Sequence, residues 1–247
     1  PFSNRIRDGR FCFRGQMVEM PPNVVGQAHV EHGHGWQSAW SIVKQSGTAA
    51  TIELAHEADE WPFAYTARQE FSLVPDGLAI TLSVQNTGLR PMPVGLGLHP
   101  YFPRSRATRL TAAVGQMWAT DCEVMPTALV SPPATCGFDR GVAIDTVDLD
   151  NAFVDWQRQA TIAWPDRGAS LTMTASAPLS FLVVYSPSGA DFFCAEPVSH
   201  CTDAFNLAAA GRDDTGMLVL ESGTEVSATV RFACSITQQG TGKGEAT

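Results

Sequence analysis

The chain reads as an all-β protein, a sandwich or barrel of many short strands, and three observations carry that reading. Apolar and polar side chains alternate with a period of two over several strand-length segments. Gly, Pro and Asp punctuate these segments at short intervals, as turns between strands require. Long stretches with the 3.6-residue periodicity of amphipathic helices are absent.

The clearest element is a hairpin from Tyr65 to Asn86, turned at Pro75-Asp76-Gly77. On its second strand Leu78, Ile80, Leu82 and Val84 alternate with Ala79, Thr81, Ser83 and Gln85, which predicts one buried and one wet face. A second hairpin is predicted from Ala160 to Ala175 around Pro165-Asp166-Arg167-Gly168. A short helix is expected near residues 203–209. A last strand alternates Val226, Ala228, Val230 and Phe232 against Ser227, Thr229 and Arg231. The polar, Gly-rich stretch 238–247 reads as a flexible tail. Neither a fixed-period repeat nor a linker interrupts residues 1–237, which predicts one domain.

Composition narrows the function. With 247 residues, 44% hydrophobic and 17% charged, the chain can bury a substantial core without disulfides or metal staples. A formal net charge of −9 argues against a nucleic-acid partner, which needs clustered Lys and Arg, and disfavours an anionic substrate. A neutral sugar suits the balance better. No apolar run approaches the roughly 20 residues that span a bilayer, so no membrane partner is expected. The cysteines Cys12, Cys122, Cys136, Cys194, Cys201 and Cys234 include no Cys-x-x-Cys pair, and several lie in apolar runs. They read as reduced core thiols of a cytoplasmic protein. The chain opens on Pro1 without an initiator Met, so any signal peptide would already be missing.

Three segments place ionisable groups among apolar or Gly-rich neighbours. In Gly95-Leu96-Gly97-Leu98-His99-Pro100-Tyr101-Phe102 a strand is expected to end at His99. That imidazole is either a general acid or base, or a core His bonded to a carbonyl. In Phe192-Phe193-Cys194-Ala195-Glu196-Pro197, Glu196 closes an apolar run. It is either a carboxyl raised by desolvation toward general-base duty or a rim residue in water. In His29-Val30-Glu31-His32-Gly33-His34-Gly35-Trp36 the spacing matches no compact zinc motif and no second cluster completes a tetrahedron, so no metal is expected. Trp36 offers an apolar ring face and His32 and His34 offer hydrogen bonds to a polyhydroxylated ligand, or the segment is core packing. Arg5 is a surface charge or a five-donor clamp, and Asp150 a turn former ahead of a strand.

Taken in order, these segments resemble the aldose 1-epimerase (galactose mutarotase) family. Pro1-Phe2-Ser3-Asn4-Arg5-Ile6 with Gly9-Arg10-Phe11, His32-Gly33-His34-Gly35-Trp36 and Gly97-Leu98-His99-Pro100-Tyr101-Phe102 carry the first half of the resemblance. Leu149-Asp150-Asn151-Ala152-Phe153 and Glu196-Pro197-Val198-Ser199-His200 carry the second. The resemblance implies a large antiparallel β-sandwich of the galactose mutarotase-like supersandwich type, without the opening strands that family members usually carry upstream. It implies an isomerase that interconverts the α and β anomers of a free aldose without a cofactor. His99 matches the general acid that protonates the ring oxygen, and Glu196 the base that takes the anomeric hydroxyl proton. Arg5, His32 and Asp150 match positions that hold sugar oxygens. The segment departs from the Leu-His-Gly form common in the family by carrying Glu31 in place of Leu, which leaves His34 as an alternative to His32.

Three other functions are compatible with these residues. A sugar-phosphate mutarotase of the same fold would need a basic pocket, for which Arg5, Arg10, Arg104 and Arg106 are available. A non-catalytic carbohydrate-binding domain would not need a matched acid and base. A glycoside hydrolase would set Glu196 and Asp150 roughly 5–9.5 Å apart across a glycosidic bond.

Overall fold

A computed structural model describes residues 1–236; the expected tail at 238–247 lies outside them. Two antiparallel sheets build the sandwich. The larger has nine strands, running in space from Val142–Ala143 through Arg109–Ala112, Gln159–Trp164, Ala169–Ala175, Glu225–Ile236, Gly77–Asn86, Tyr65–Val74 and Ala49–His56 to Ser41–Gln45. The smaller has six, from Tyr101–Pro103 through Phe192–Val198, Phe181–Ser186, Leu149–Phe153 and Met117–Thr120 to Pro126–Val130. Between them Leu110, Ile162, Met173 and Val230 of one sheet join Phe153, Leu182, Val184 and Phe193 of the other in a common buried core.

Local sequence accounts for much of this. Tyr65–Val74 and Gly77–Asn86 pair from Tyr65↔Asn86 to Val74↔Gly77, leaving Pro75 and Asp76 as a two-residue turn. Gly77 must lack a side chain, because a Cβ there would meet the Phe232 carbonyl oxygen at 1.8 Å. The second hairpin pairs Trp164↔Ala169, and its turn closes on Gly168 in the left-handed region. The short helix forms at Ala204–Ala209.

Burial departs from expectation on Gly77–Asn86. Ser83 is buried, whereas Leu78, Ile80 and Leu82 are only half-buried. Leu82 and Val84 border a cavity, which leaves Leu82 open on the apolar face. Neighbouring strands shield the polar face, where Thr81 and Thr229 share a 2.8 Å hydroxyl hydrogen bond. The cysteines also divide: Cys136, Cys194 and Cys201 are buried, while Cys12, Cys122 and Cys234 are exposed free thiols. Cys12 falls on the outward face of Arg10–Phe13, where burial alternates residue by residue.

Phe2, Phe11, Trp61 and Phe205 pack with ring centroids 5.0–6.0 Å apart and anchor the first residues of the chain against the short helix. The chain then turns at Asn4, φ 60°, and pairs Arg5–Ile6 with Val30–Glu31. No helix among the described residues is long and apolar enough to cross a membrane.

Candidate active site

Register on the smaller sheet sets a row of side chains across four adjacent strands. Tyr101 lies opposite Cys194, Cys194 opposite Tyr185, and Tyr185 opposite Asp150. Glu196 follows two residues after Cys194 and so shares its face. Asp150 is therefore a strand residue within Leu149–Phe153 rather than a turn former. Glu196 lies within Phe192–Val198 and is 1% exposed, which removes the rim reading.

His99 reaches the same place by a different route. The run from Gly95 to Pro100 is irregular, with one isolated bridge between Gly97 and Val198, and does not end a strand. Its backbone donors go to scattered acceptors instead of one ladder: Gly95 N–H to the Pro1 carbonyl, Leu96 N–H to Ser199 Oγ, Leu98 N–H to the Pro197 carbonyl. Gly95 permits this approach, since a Cβ there would sit 1.8 Å from the His200 ring. His99 stacks on Tyr101 at 4.9 Å, and its Nε2 lies 3.3 Å from Glu196 Oε1.

From the other side come Arg5 and His32. Asn4 and His32 lock together: the Asn4 N–H donates to His32 Nδ1 at 3.0 Å, and the His32 N–H donates to the Asn4 carbonyl at 2.9 Å. His32 holds φ 55°, an uncommon conformation for a residue with a Cβ. Because Nδ1 accepts, the neutral ring carries its proton on Nε2, leaving that atom as a donor. Burial, with His99, Arg5 and His200 nearby, lowers the His32 pKa to about 4, so the neutral form prevails near pH 7. Arg5 donates from Nε to Glu31 Oε1 at 2.7 Å and from NH1 to Asp150 Oδ2 at 3.1 Å. Burial opposes its charge, but Asp150 and Glu31 outweigh burial and hold the guanidinium above its ordinary pKa.

These groups meet at a cavity of about 590 Å³, within the range of small-molecule sites. Arg5, Glu31, His32, His99, Asp150 and Glu196 line its polar side, and Leu54, Ala67, Leu82 and Val84 of the larger sheet line the opposite wall. Trp36, 51% exposed, stands in the lining with its Nε1 donating to the Glu31 carbonyl at 3.1 Å. His34 lies outside the lining, drawn away by stacking on His56, which stacks in turn on Tyr65. His29 is also elsewhere, accepting the Asp8 N–H. The three His of the segment thus diverge and do not converge on one ligand point.

Burial acts in opposite directions on the acid–base pair. It raises Glu196 well above the ordinary 4.5, helped by Asp150 and Glu31 and opposed by Arg5. It lowers His99 below the ordinary 6.5, opposed by its own backbone carbonyl, Asp150 and Glu31. Burial thus favours the neutral form of the contacting pair, proton on Glu196, over the form with His99 protonated and Glu196 ionised. Such a pair can accept a proton from one oxygen and deliver one to another. One ligand atom each of His99, Cys194 and Glu196 also lies within 4.8 Å of the others, a set that could hold a metal ion. His34, His56 and Asp59 form a second such set away from the cavity.

Sequence reasoning singled out Arg5, His32, Trp36, His99, Asp150 and Glu196, all of which line the cavity. It missed the ion pair of Glu31 with Arg5, as well as Tyr185, whose only local signal is membership of an apolar strand. Tyr101 was quoted in the motif without a role.

The sequence profile described as aldose 1-epimerase matches residues 1–233. Among curated proteins, the Escherichia coli K12 protein YphB, itself uncharacterized, is 34% identical over 218 residues, covering 82% of this chain and 72% of YphB. A crystal structure of an Escherichia coli K12 protein provisionally assigned as an aldose 1-epimerase superposes with a TM-score of 0.88 at 28% identity. That match covers 96% of this chain and 82% of the other. A galactose mutarotase-like protein of Clostridium acetobutylicum superposes with a TM-score of 0.84 at 20% identity, over 95% of this chain and 78% of that one, a likeness of fold.

Proposed function

Because the chain belongs to the aldose 1-epimerase family, we propose that it interconverts the α and β anomers of a free aldose at the cavity between the sheets. One observation carries the reading. Glu196 is buried, its Oε2 has no hydrogen-bond partner among the described residues, and its Oε1 lies 3.3 Å from His99 Nε2 at the cavity wall. A buried, unpaired carboxylate oxygen is costly unless a ligand group completes it.

Ring oxygen and anomeric hydroxyl share one carbon, so a neighbouring acid and base can serve both. Glu196 takes the proton from the anomeric hydroxyl as the bond from C1 to the ring oxygen breaks. His99 delivers a proton to that oxygen, giving the open-chain aldehyde. Rotation about C1–C2 presents the other carbonyl face, and the same transfers run backwards to close either anomer. Ring opening converts a charged pair, His99 protonated and Glu196 ionised, into a neutral one. Burial favours that direction, while Arg5 pulls Glu196 toward ionisation. His32 Nε2–H and the Arg5–Asp150 pair supply donors and acceptors for the hydroxyls. Trp36 offers a ring face to the C–H side of the sugar.

The sugar-phosphate reading draws no support from the charge distribution. The Arg104 side chain is 4% exposed and donates to Ser186 Oγ, the Pro187 carbonyl and Asp145. Arg10 pairs with Glu19 on the surface. The test is the anomerisation rate of freshly dissolved α-D-glucose and α-D-galactose, followed by polarimetry or proton NMR. A rate well above buffer background, lost in Glu196→Gln, is expected; folded protein without acceleration would refute the proposal.

A further inference from the structure

Glu31 is the one acidic side chain in the cavity lining that the anomerisation chemistry leaves unused. Its place is well defined. Asn23 clamps its backbone from both sides, Nδ2 donating to the Glu31 carbonyl at 2.6 Å and Oδ1 accepting the Glu31 N–H at 2.8 Å. Strand pairing sets it directly opposite Arg5, and its side chain is 13% exposed in the cavity lining.

The consequence concerns Arg5. Among the described residues it is the only Arg or Lys lining the cavity, and its Nε and NH1 are already committed to Glu31 and Asp150. A guanidinium receives a phosphate or carboxylate best through two parallel N–H groups, and the edge that includes Nε is taken. Two carboxylates face one guanidinium, with the Glu196 carboxyl beside them in the same lining. The acidic side chains Glu31, Asp150 and Glu196 outnumber the single guanidinium at this wall.

We propose that Glu31 is a specificity-determining residue which makes the site select by charge. In this reading, which rests on the anomerase function above, the cavity takes neutral aldoses and favours amino aldoses of the 2-amino-2-deoxyhexose class in their ammonium form. Aldoses bearing a carboxylate, sulfonate or phosphate are excluded. An ammonium group gains Coulomb attraction from Glu31 and Asp150 without displacing either from Arg5. An anionic group must approach two carboxylates to reach a guanidinium already paired.

The experiment measures binding of D-glucosamine, D-glucose, D-glucuronate and D-glucose 6-phosphate by calorimetry at low ionic strength, with the amine protonated. Wild type and Glu31→Gln are compared, and glucose anomerisation is read in parallel. Wild type is expected to bind glucosamine at least about 10-fold more tightly than glucuronate, with a gap that narrows as salt is added. Glu31→Gln should shrink that gap about 3-fold or more while glucose affinity changes less, and Glu31→Asp should restore it. Wild type preferring glucuronate or the phosphate overturns the inference. So does a Glu31→Gln variant that weakens all four probes equally, which would mark Glu31 as a support for Arg5 alone, and so does failure of every probe to bind. Glucose turnover with a flat charge order would defeat this inference and leave the anomerase reading standing. A charge order without turnover would do the reverse.

Discussion

Replacing Glu196 by Gln changes one oxygen to a nitrogen in a side chain that is 1% exposed, and activity and stability should move in opposite directions. On activity, loss of the base should cost about 100- to 10,000-fold in kcat, or roughly 2.7–5.5 kcal/mol of barrier, with smaller changes in sugar binding. On stability, burial first, then Asp150, raises the Glu196 pKa in the folded chain above its ordinary 4.5. A group whose pKa is higher folded than unfolded contributes stability below the unfolded value and loses it as pH rises toward the folded one. Wild type should therefore lose stability relative to the uncharged Gln variant from about pH 4.5 upward, at a rate approaching ~1.4 kcal/mol per pH unit until the folded carboxyl ionises. Urea unfolding of both proteins across this range measures the difference, and polarimetry measures turnover. Parallel stability profiles would show that burial does not hold the carboxyl protonated. Turnover within tenfold of wild type would remove Glu196 from the base role.

Further tests follow from the same geometry. The pH dependence of kcat/KM should be bell-shaped, because one proton must remain on the pair. Its acid limb should fall below the ordinary imidazole value of 6.5 and its alkaline limb well above the ordinary carboxyl value of 4.5, and a single-limbed profile would contradict paired titration. His32→Phe keeps a ring but removes the acceptor for Asn4 N–H and the Nε2 donor. Stability should drop by about 1–3 kcal/mol in urea unfolding and kcat/KM by about 10- to 100-fold, and unchanged kinetics would free His32 from contact with sugar. Gly95→Ala drives a Cβ to 1.8 Å from the buried His200 ring, which accepts the Ser3 N–H and bonds the Cys201 carbonyl. A loss of about 2–5 kcal/mol is expected from overpacking and broken hydrogen bonds, and a thermal midpoint matching wild type would show that the segment shifts freely.

Both hairpins and the last strand were legible in the sequence because their information is local. Pro75-Asp76 and Pro165 to Gly168 specify turns, and the alternation from Val226 to Phe232 matches the burial of that strand. Burial on Gly77–Asn86 was not legible, since the cavity opens its apolar face at Leu82 and adjoining strands cover its polar one. His32 and His34 could not be separated by spacing. What distinguishes them is a hydrogen bond from Asn4 on one side and stacking on His56 on the other. Glu31 was visible only as a departure from a familiar segment, because its partner Arg5 stands 26 residues away.

By itself the sequence determined the strand periodicity, the turn chemistry, the acidic balance that disfavours nucleic acid, and the segments whose order resembles the aldose 1-epimerase family. Tertiary structure decided which ionisable groups meet. Arg5 and Asp150 are 145 positions apart and touch because two strand pairings, Arg5 with Glu31 and Asp150 with Tyr185, face one cavity. Tyr101, Cys194, Tyr185 and Asp150 form a row through register alone. Alternation and turn preference act over a few residues, so they are written in the local sequence. Sheet register and the proton affinity of a buried carboxyl depend on neighbours supplied by distant segments, and those exist only once the chain has folded.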